Sequence, residues 1–275
     1  MSVMSAERRG DFRVGAVLSG SWRIFAGGLL FFLGVPVLID LIVVGVSVGT
    51  VLLFELAGGD AQFGRTVAAV GAFLIIVLAV ILNMLGQAVL LVGAFQRLRG
   101  EPIRAGAALK RALVRFLPLL GLVFLFGLGL TIVGLICLVI MSAFMTLLGF
   151  IGVLLVPLFA VPVVVLLVMW AVIVPACVVE GLGPIESLVR SAELTRGHRW
   201  KVLGIILLLV IAYIFASQTT DAMFGPTSAE LAALAQVVLI AVWTAYWNCA
   251  AIMLYRDLRV AKEGVDTREI AAVFA

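Results

Sequence analysis

Few side chains in this 275-residue chain could do chemistry from unusual surroundings: Asp40, Asn83, Gln87, Thr244 and Asn248, each placed inside a long apolar run. Asp40 is the one clear carboxylate in the middle of such a run. At the centre of a lipid bilayer it would cost about 2.5–3.5 kcal/mol on insertion scales, which the leucines, isoleucines, valines and phenylalanines from Ile24 to Leu56 more than offset. An acid so placed takes up a proton or an ion, or hydrogen-bonds to a neighbouring helix. Asn83 and Gln87 are one helical turn apart, as are Thr244 and Asn248. Each pair therefore shares a helix face. The two pairs would line a polar pocket between the second and sixth long helices, or hydrogen-bond from helix to helix. The pocket would suit a transporter or lipid translocator working around Asp40.

A second group is basic: Arg23, Arg104, Arg111, Arg115, Arg190, Arg196, Arg199 and Lys201 stand just before apolar runs. Cations so placed meet anionic lipid headgroups, each contributing about 1 kcal/mol. Other chemistry is thin. His198 is the single histidine, so no His-based dyad or ordinary zinc site can form. Cys137, Cys177 and Cys249 lie in apolar runs and read as small packing hydrophobes rather than a disulfide framework. Phosphate-cradling, zinc-helix and nucleophile-elbow signatures are missing. Glu101, Glu180, Glu186 and Glu193 could serve an enzyme acting on a lipid headgroup, but their spacing fits pairing along helix surfaces better. No catalytic residue, metal or cofactor is expected.

The elements that position these residues follow from composition. Apolar residues make up 64% of the chain and charged ones 12%, against roughly 45–50% and about 25% in soluble domains. Mean hydropathy is +1.29. Such a chain has too little polar surface to face water, and in lipid its backbone must be helical. Six runs are long enough to span: Ile24–Leu56, Thr66–Phe95, Leu117–Met141, Phe144–Val179, Val202–Thr220 and Leu231–Tyr255. Pro157, Pro162 and Pro175 predict kinks or a break in the fourth. With six spans and both termini on one side, every one of the 19 Lys and Arg except Arg65 falls on that side, while Glu55, Asp60, Asp221 and Glu230 fall opposite. The positive-inside rule then places both termini in the cytoplasm. The first long run exceeds a signal peptide, so no leader is expected. The basic pI reflects topology, and nucleic acid is not an expected partner.

Each connection on the basic side holds an amphipathic stretch. From Pro102 to Phe116 the apolar face is Ala105, Leu109, Ala112, Leu113 and Phe116; from Pro184 to Trp200 it is Ile185, Leu188, Val189 and Ala192, with Glu186 and Arg190 paired at i,i+4. Asp11 to Phe25 is a shorter copy with Val14, Leu18, Ser21, Trp22 and Phe25 on one side. Trp22, Phe116 and Trp200 mark three junctions, and Asp266 with Glu269 resembles a further helix start. The prediction is an all-α polytopic bundle: three transmembrane hairpins, each preceded by an interfacial helix. It forms one membrane domain, with tandem units at about 11–98, 99–180 and 181–260 and a tail at 261–275. Gly121, Gly127, Gly129 and Gly134 predict close helix packing, and Tyr255 fits an interfacial aromatic belt.

The run Glu180-Gly181-Leu182-Gly183-Pro184-Ile185-Glu186-Ser187, continuing through Ser191–Gly197 and Trp200–Gly204, resembles the glycerophosphoryl diester phosphodiesterase membrane-domain family. Val14 to Phe25 is similar to that family's leading helix, and Tyr255–Arg259 with Lys262–Gly264 to its ending. The resemblance covers nearly the whole chain. It implies a six-helix bacterial membrane protein without the catalytic domain and transfers no catalytic residues. The expected role is non-enzymatic: a plasma-membrane protein that engages anionic lipids, with a protein partner or a second copy as a further expectation.

Overall fold

The computed structural model describes residues 14–56, 61–149, 156–225 and 228–263. Arg8, Arg9, Arg13, Asp60, Arg268 and the expected helix start at Asp266 and Glu269 lie outside the described residues. So do the side chains of Glu55 and Arg65. Among the described residues the chain is all helical: α1 (Val14–Gly27), α2 (Leu29–Leu56), α3 (Ala61–Leu98), α4 (Ala105–Val114), α5 (Phe116–Leu148), α6 (Val156–Met169), α7 (Ile173–Glu180), α8 (Pro184–Thr195), α9 (Arg199–Phe224) and α10 (Ala229–Glu263). Six spans are long and apolar enough to cross a membrane, at Leu29–Leu52, Ala69–Leu98, Phe116–Leu147, Pro157–Glu180, Arg199–Phe224 and Glu230–Glu263. The element order repeats three times: a short helix (α1, α4, α8) and then two spans. The chain is a multi-pass membrane protein.

Contacts divide it into two compact units that do not follow the tandem repeats. One comprises Gly20–Leu113 and Val210–Ala250; the other holds Val114–Leu209 with the described residues at both chain ends. In the first unit α2 packs along α3, and glycines of α3 let it approach. A Cβ on Gly86 would run into Ile39, and one on Gly93 into the ring of Phe31. Gly93→Ala is expected to cost about 1–3 kcal/mol, because an aromatic ring must be displaced from a packed site. Gly127→Ala and Gly134→Ala, which meet nothing within 4 Å, should change stability by less than about 0.5 kcal/mol. Urea unfolding in micelles checks the contrast. In the second unit a Cβ on Gly121 would meet Pro184 at 3.0 Å, one on Gly129 would meet Trp170 at 2.9 Å, and one on Gly181 would run into the Arg115 guanidinium.

The structure moves three expected boundaries. The third span runs on past Met141 through Phe144 to Leu148, because Ser142 and Thr146 bond back to the carbonyls of Val139 and Ala143 at 2.8 Å each and leave the helix intact. It stops at Gly149, whose φ of +56° ends the helix while its N–H still bonds to Met145 O. Trp22 lies within α1 rather than at its end, the break coming at Gly28. In the fourth span only Pro175 breaks the helix. Pro162 sits inside α6, while Trp170–Val172 form a turn ahead of α7, where the Pro175 ring would clash with the Ala171 carbonyl of a continuous helix.

Candidate functional site

The expected intramembrane cluster assembles within the first unit. Asp40, midway along the Leu29–Leu52 span, shares a cavity with Asn83 and Gln87 of α3 and Thr244 of α10. The remaining walls are Pro36, Ile39, Gly86, Leu90 and Ile240. The cavity measures about 20 Å³, room for roughly one water-sized occupant. Asn248 is not part of it; buried on the next turn of α10, its amide donates to Thr244 O at 2.8 Å. Asn83 likewise donates its Nδ2 to Ala79 O at 3.0 Å, which leaves its Oδ1 as the free end.

A second polar cluster, in the other unit, went unseen in the sequence. Glu180, at the end of α7, accepts Arg190 Nε on both carboxylate oxygens at 3.1 and 3.0 Å. It also accepts a hydrogen bond from Tyr255 OH. Arg190 donates on to Glu263, which receives Arg259 Nε at 2.8 Å, and Arg259 Nη1 reaches Tyr255 OH at 3.3 Å. Two carboxylates thus balance two guanidiniums in one closed network. Burial would lower the Arg190 pKa, but the hydrogen bonds and charges of Glu263 and Glu180 outweigh it, and the pKa stands above the ordinary arginine value. This corrects two expectations. Glu186 does not pair with Arg190; its carboxylate accepts Gly183 N–H at 3.0 Å and caps α8. Tyr255 is buried and holds Glu180, so it is not a belt residue. The i,i+4 spacing of Arg259 and Glu263 was a legible signal; their convergence with Glu180 was not.

The short helices show which of their faces packs against the protein. In α8 the buried face is Ser187, Ser191, Leu194 and Thr195, while Ile185 and Val189 stand 68% and 54% exposed. In α4 the buried residues are Ala108 and Ala112, and Leu109 and Leu113 point outward. The expected apolar stripes are therefore mostly the outer faces. The α8 hydroxyls serve the break ahead of α7: Ser191 Oγ donates to Met169 O at 2.9 Å and accepts Val172 N–H at 3.3 Å, and Thr195 Oγ1 lies 3.3 Å from Met169 O. Buried backbone groups freed by a proline-induced break find partners in this way.

Of the basic candidates, Arg23, Arg104, Arg111, Arg196, Arg199 and Lys201 are exposed. Arg115 and Arg190 are turned into the protein, Arg115 donating to Gly181 O at 2.7 Å. Among the described residues no group of three or more His, Cys, Asp or Glu could hold a metal.

A family model described as a domain of unknown function (DUF7847) matches residues 104–258, more than half of the chain. No curated protein and no solved structure matches it.

Proposed function

The chain belongs to that DUF7847 family, and we propose that it is a non-enzymatic protein of a bacterial cytoplasmic membrane that engages anionic lipid headgroups on its inner leaflet. Both termini would face the cytoplasm, as the concentration of Lys and Arg around α1, α4, α8 and the end of α10 favours. One observation carries the reading: short, charge-bearing helices next to membrane spans turn leucine, isoleucine and valine outward. On α4 these are Leu109 and Leu113 beside Arg104 and Arg111. On α8 they are Ile185 and Val189, followed at the start of α9 by Arg199, Lys201 and the 85%-exposed Trp200. Water disfavours such faces, whereas the boundary between headgroups and acyl chains accommodates the apolar side chains, the indole and the cations together.

The test is native mass spectrometry of protein drawn from vesicles of equal phosphatidylglycerol and phosphatidylcholine. Phosphatidylglycerol should be enriched among retained lipids, and a variant with Arg104, Arg111, Arg199 and Lys201 changed to glutamine should lose most of the enrichment, about fivefold per cation at 1 kcal/mol each. Retention that mirrors the vesicle mixture in both proteins would remove the proposal.

A further inference from the structure

The midspan cavity is untouched by the lipid reading and stands on separate observations. We propose that it binds one small monovalent cation, of the size and charge of Na⁺, with the Asp40 carboxylate as the charged ligand. Four side chains lining it carry an oxygen that can coordinate: Asp40, Asn83, Gln87 and Thr244. Oxygen donors suit hard cations. Asn83 presents its oxygen because its Nδ2 is held by Ala79 O. The side chains of Asp40, Gln87 and Thr244 have no hydrogen-bond or ion-pair partner among the described residues.

Charge selects the ion. Among the described residues, Asp40 is the only titratable group on the cavity wall. Along α2 no other charged residue occurs from Leu29 through Leu52, and on α3 the nearest described charge is Arg97, which donates to Gly27 O. On α10 the nearest charges on either side of Thr244 are Glu230 and Arg256, several turns away. A monovalent ion therefore makes the site neutral within the membrane, while a divalent one would leave an uncompensated positive charge. At about 20 Å³ the cavity has room for roughly one ion or water, and its four oxygen-bearing side chains would replace part of the ion's hydration shell. Pro36, on the same wall, sits inside the unbroken α2 and has no N–H to offer the Phe32 carbonyl one turn earlier. Because the ion needs the ionised carboxylate, a proton competes for the same place.

Thermal unfolding of the full chain in nanodiscs tests this, with NaCl, KCl or choline chloride at equal ionic strength. Na⁺ is expected to raise the midpoint by several degrees at pH 8, and choline not at all. The Na⁺ concentration giving half the effect should rise about tenfold per pH unit once Asp40 protonates. Asp40→Asn should abolish the Na⁺ response. Thr244→Val and Gln87→Leu, which keep the carboxylate, should each weaken the Na⁺ response at least fivefold, measured against the same variant's midpoint in choline, and they carry the test if Asp40→Asn does not fold. A midpoint that depends on pH but not on Na⁺ would mean a protonated carboxyl only and would overturn the proposal. So would equal responses to Na⁺ and choline, or Na⁺ responses in the variants that match the wild type.

Discussion

Glu180→Ala is expected to destabilise the protein by about 3 kcal/mol, the low end of the range for removing one partner of a buried ion pair. The carboxylate is 15% exposed and faces Arg190 at 3.0 Å and Arg259 at 3.9 Å. Without it two guanidiniums share the single charge of Glu263, and Tyr255 OH loses its acceptor. Glu263 remains and the site is not sealed from solvent, which keeps the cost from the upper end of that range. Glu180→Gln keeps an acceptor for Tyr255 and should cost about half as much. Equilibrium unfolding in mixed micelles measures both. A double-mutant cycle with Arg190→Ala should give a coupling energy above about 1 kcal/mol, and a value near zero would reduce the network to a surface decoration.

Removing the hydroxyls of Ser191 and Thr195 together should cost about 2–4 kcal/mol, since a buried N–H and a part-buried C=O would each lose a partner at about 1–3 kcal/mol. Val172 N–H and Met169 O are the groups concerned, and Val172, Ser191 and Thr195 are fully buried. The single change Ser191→Ala should account for half or more, because Ser191 alone serves Val172 N–H while Met169 O keeps Thr195. The cause of the break supplies a control. In a Pro175→Ala background the helix can close across Trp170–Val172 and satisfy those groups itself, so Ser191→Ala should cost clearly less there. An unchanged cost would show that the hydroxyls matter for packing volume instead of for the break.

Much of the architecture was legible in the sequence because the signals are local. Twenty apolar residues in a row define a span whatever surrounds them, and Gly-Pro at the head of α8 marks a helix start. The six spans and the three short helices ahead of α2, α5 and α9 follow from such runs alone. The members of the pocket group, Asp40, Asn83, Gln87 and Thr244, each stand out as polar in an apolar run; the contact of α2 with α3 brings Asp40 to Asn83 and Gln87, and Thr244 of α10 lines the same cavity. Asn248, with the same signal, bonds within its own helix, which no spacing rule distinguishes.

The tertiary structure decided which way the short helices face and which charges meet. The pattern of α8 marks Ile185 and Val189 as an apolar stripe without saying what packs behind it; the protein turns them outward and buries Ser187, Ser191 and Thr195. The reason is the solvent. At a membrane boundary an outward isoleucine costs little, whereas an unmet backbone carbonyl inside a kinked span costs several times more. The hydroxyls therefore go to the break and the hydrocarbon goes outward. Glu180 and Glu263, far apart in the chain, come to share Arg190 for the same reason: a charge near lipid is tolerable only when another comes to it, and which one comes depends on packing that no local pattern records.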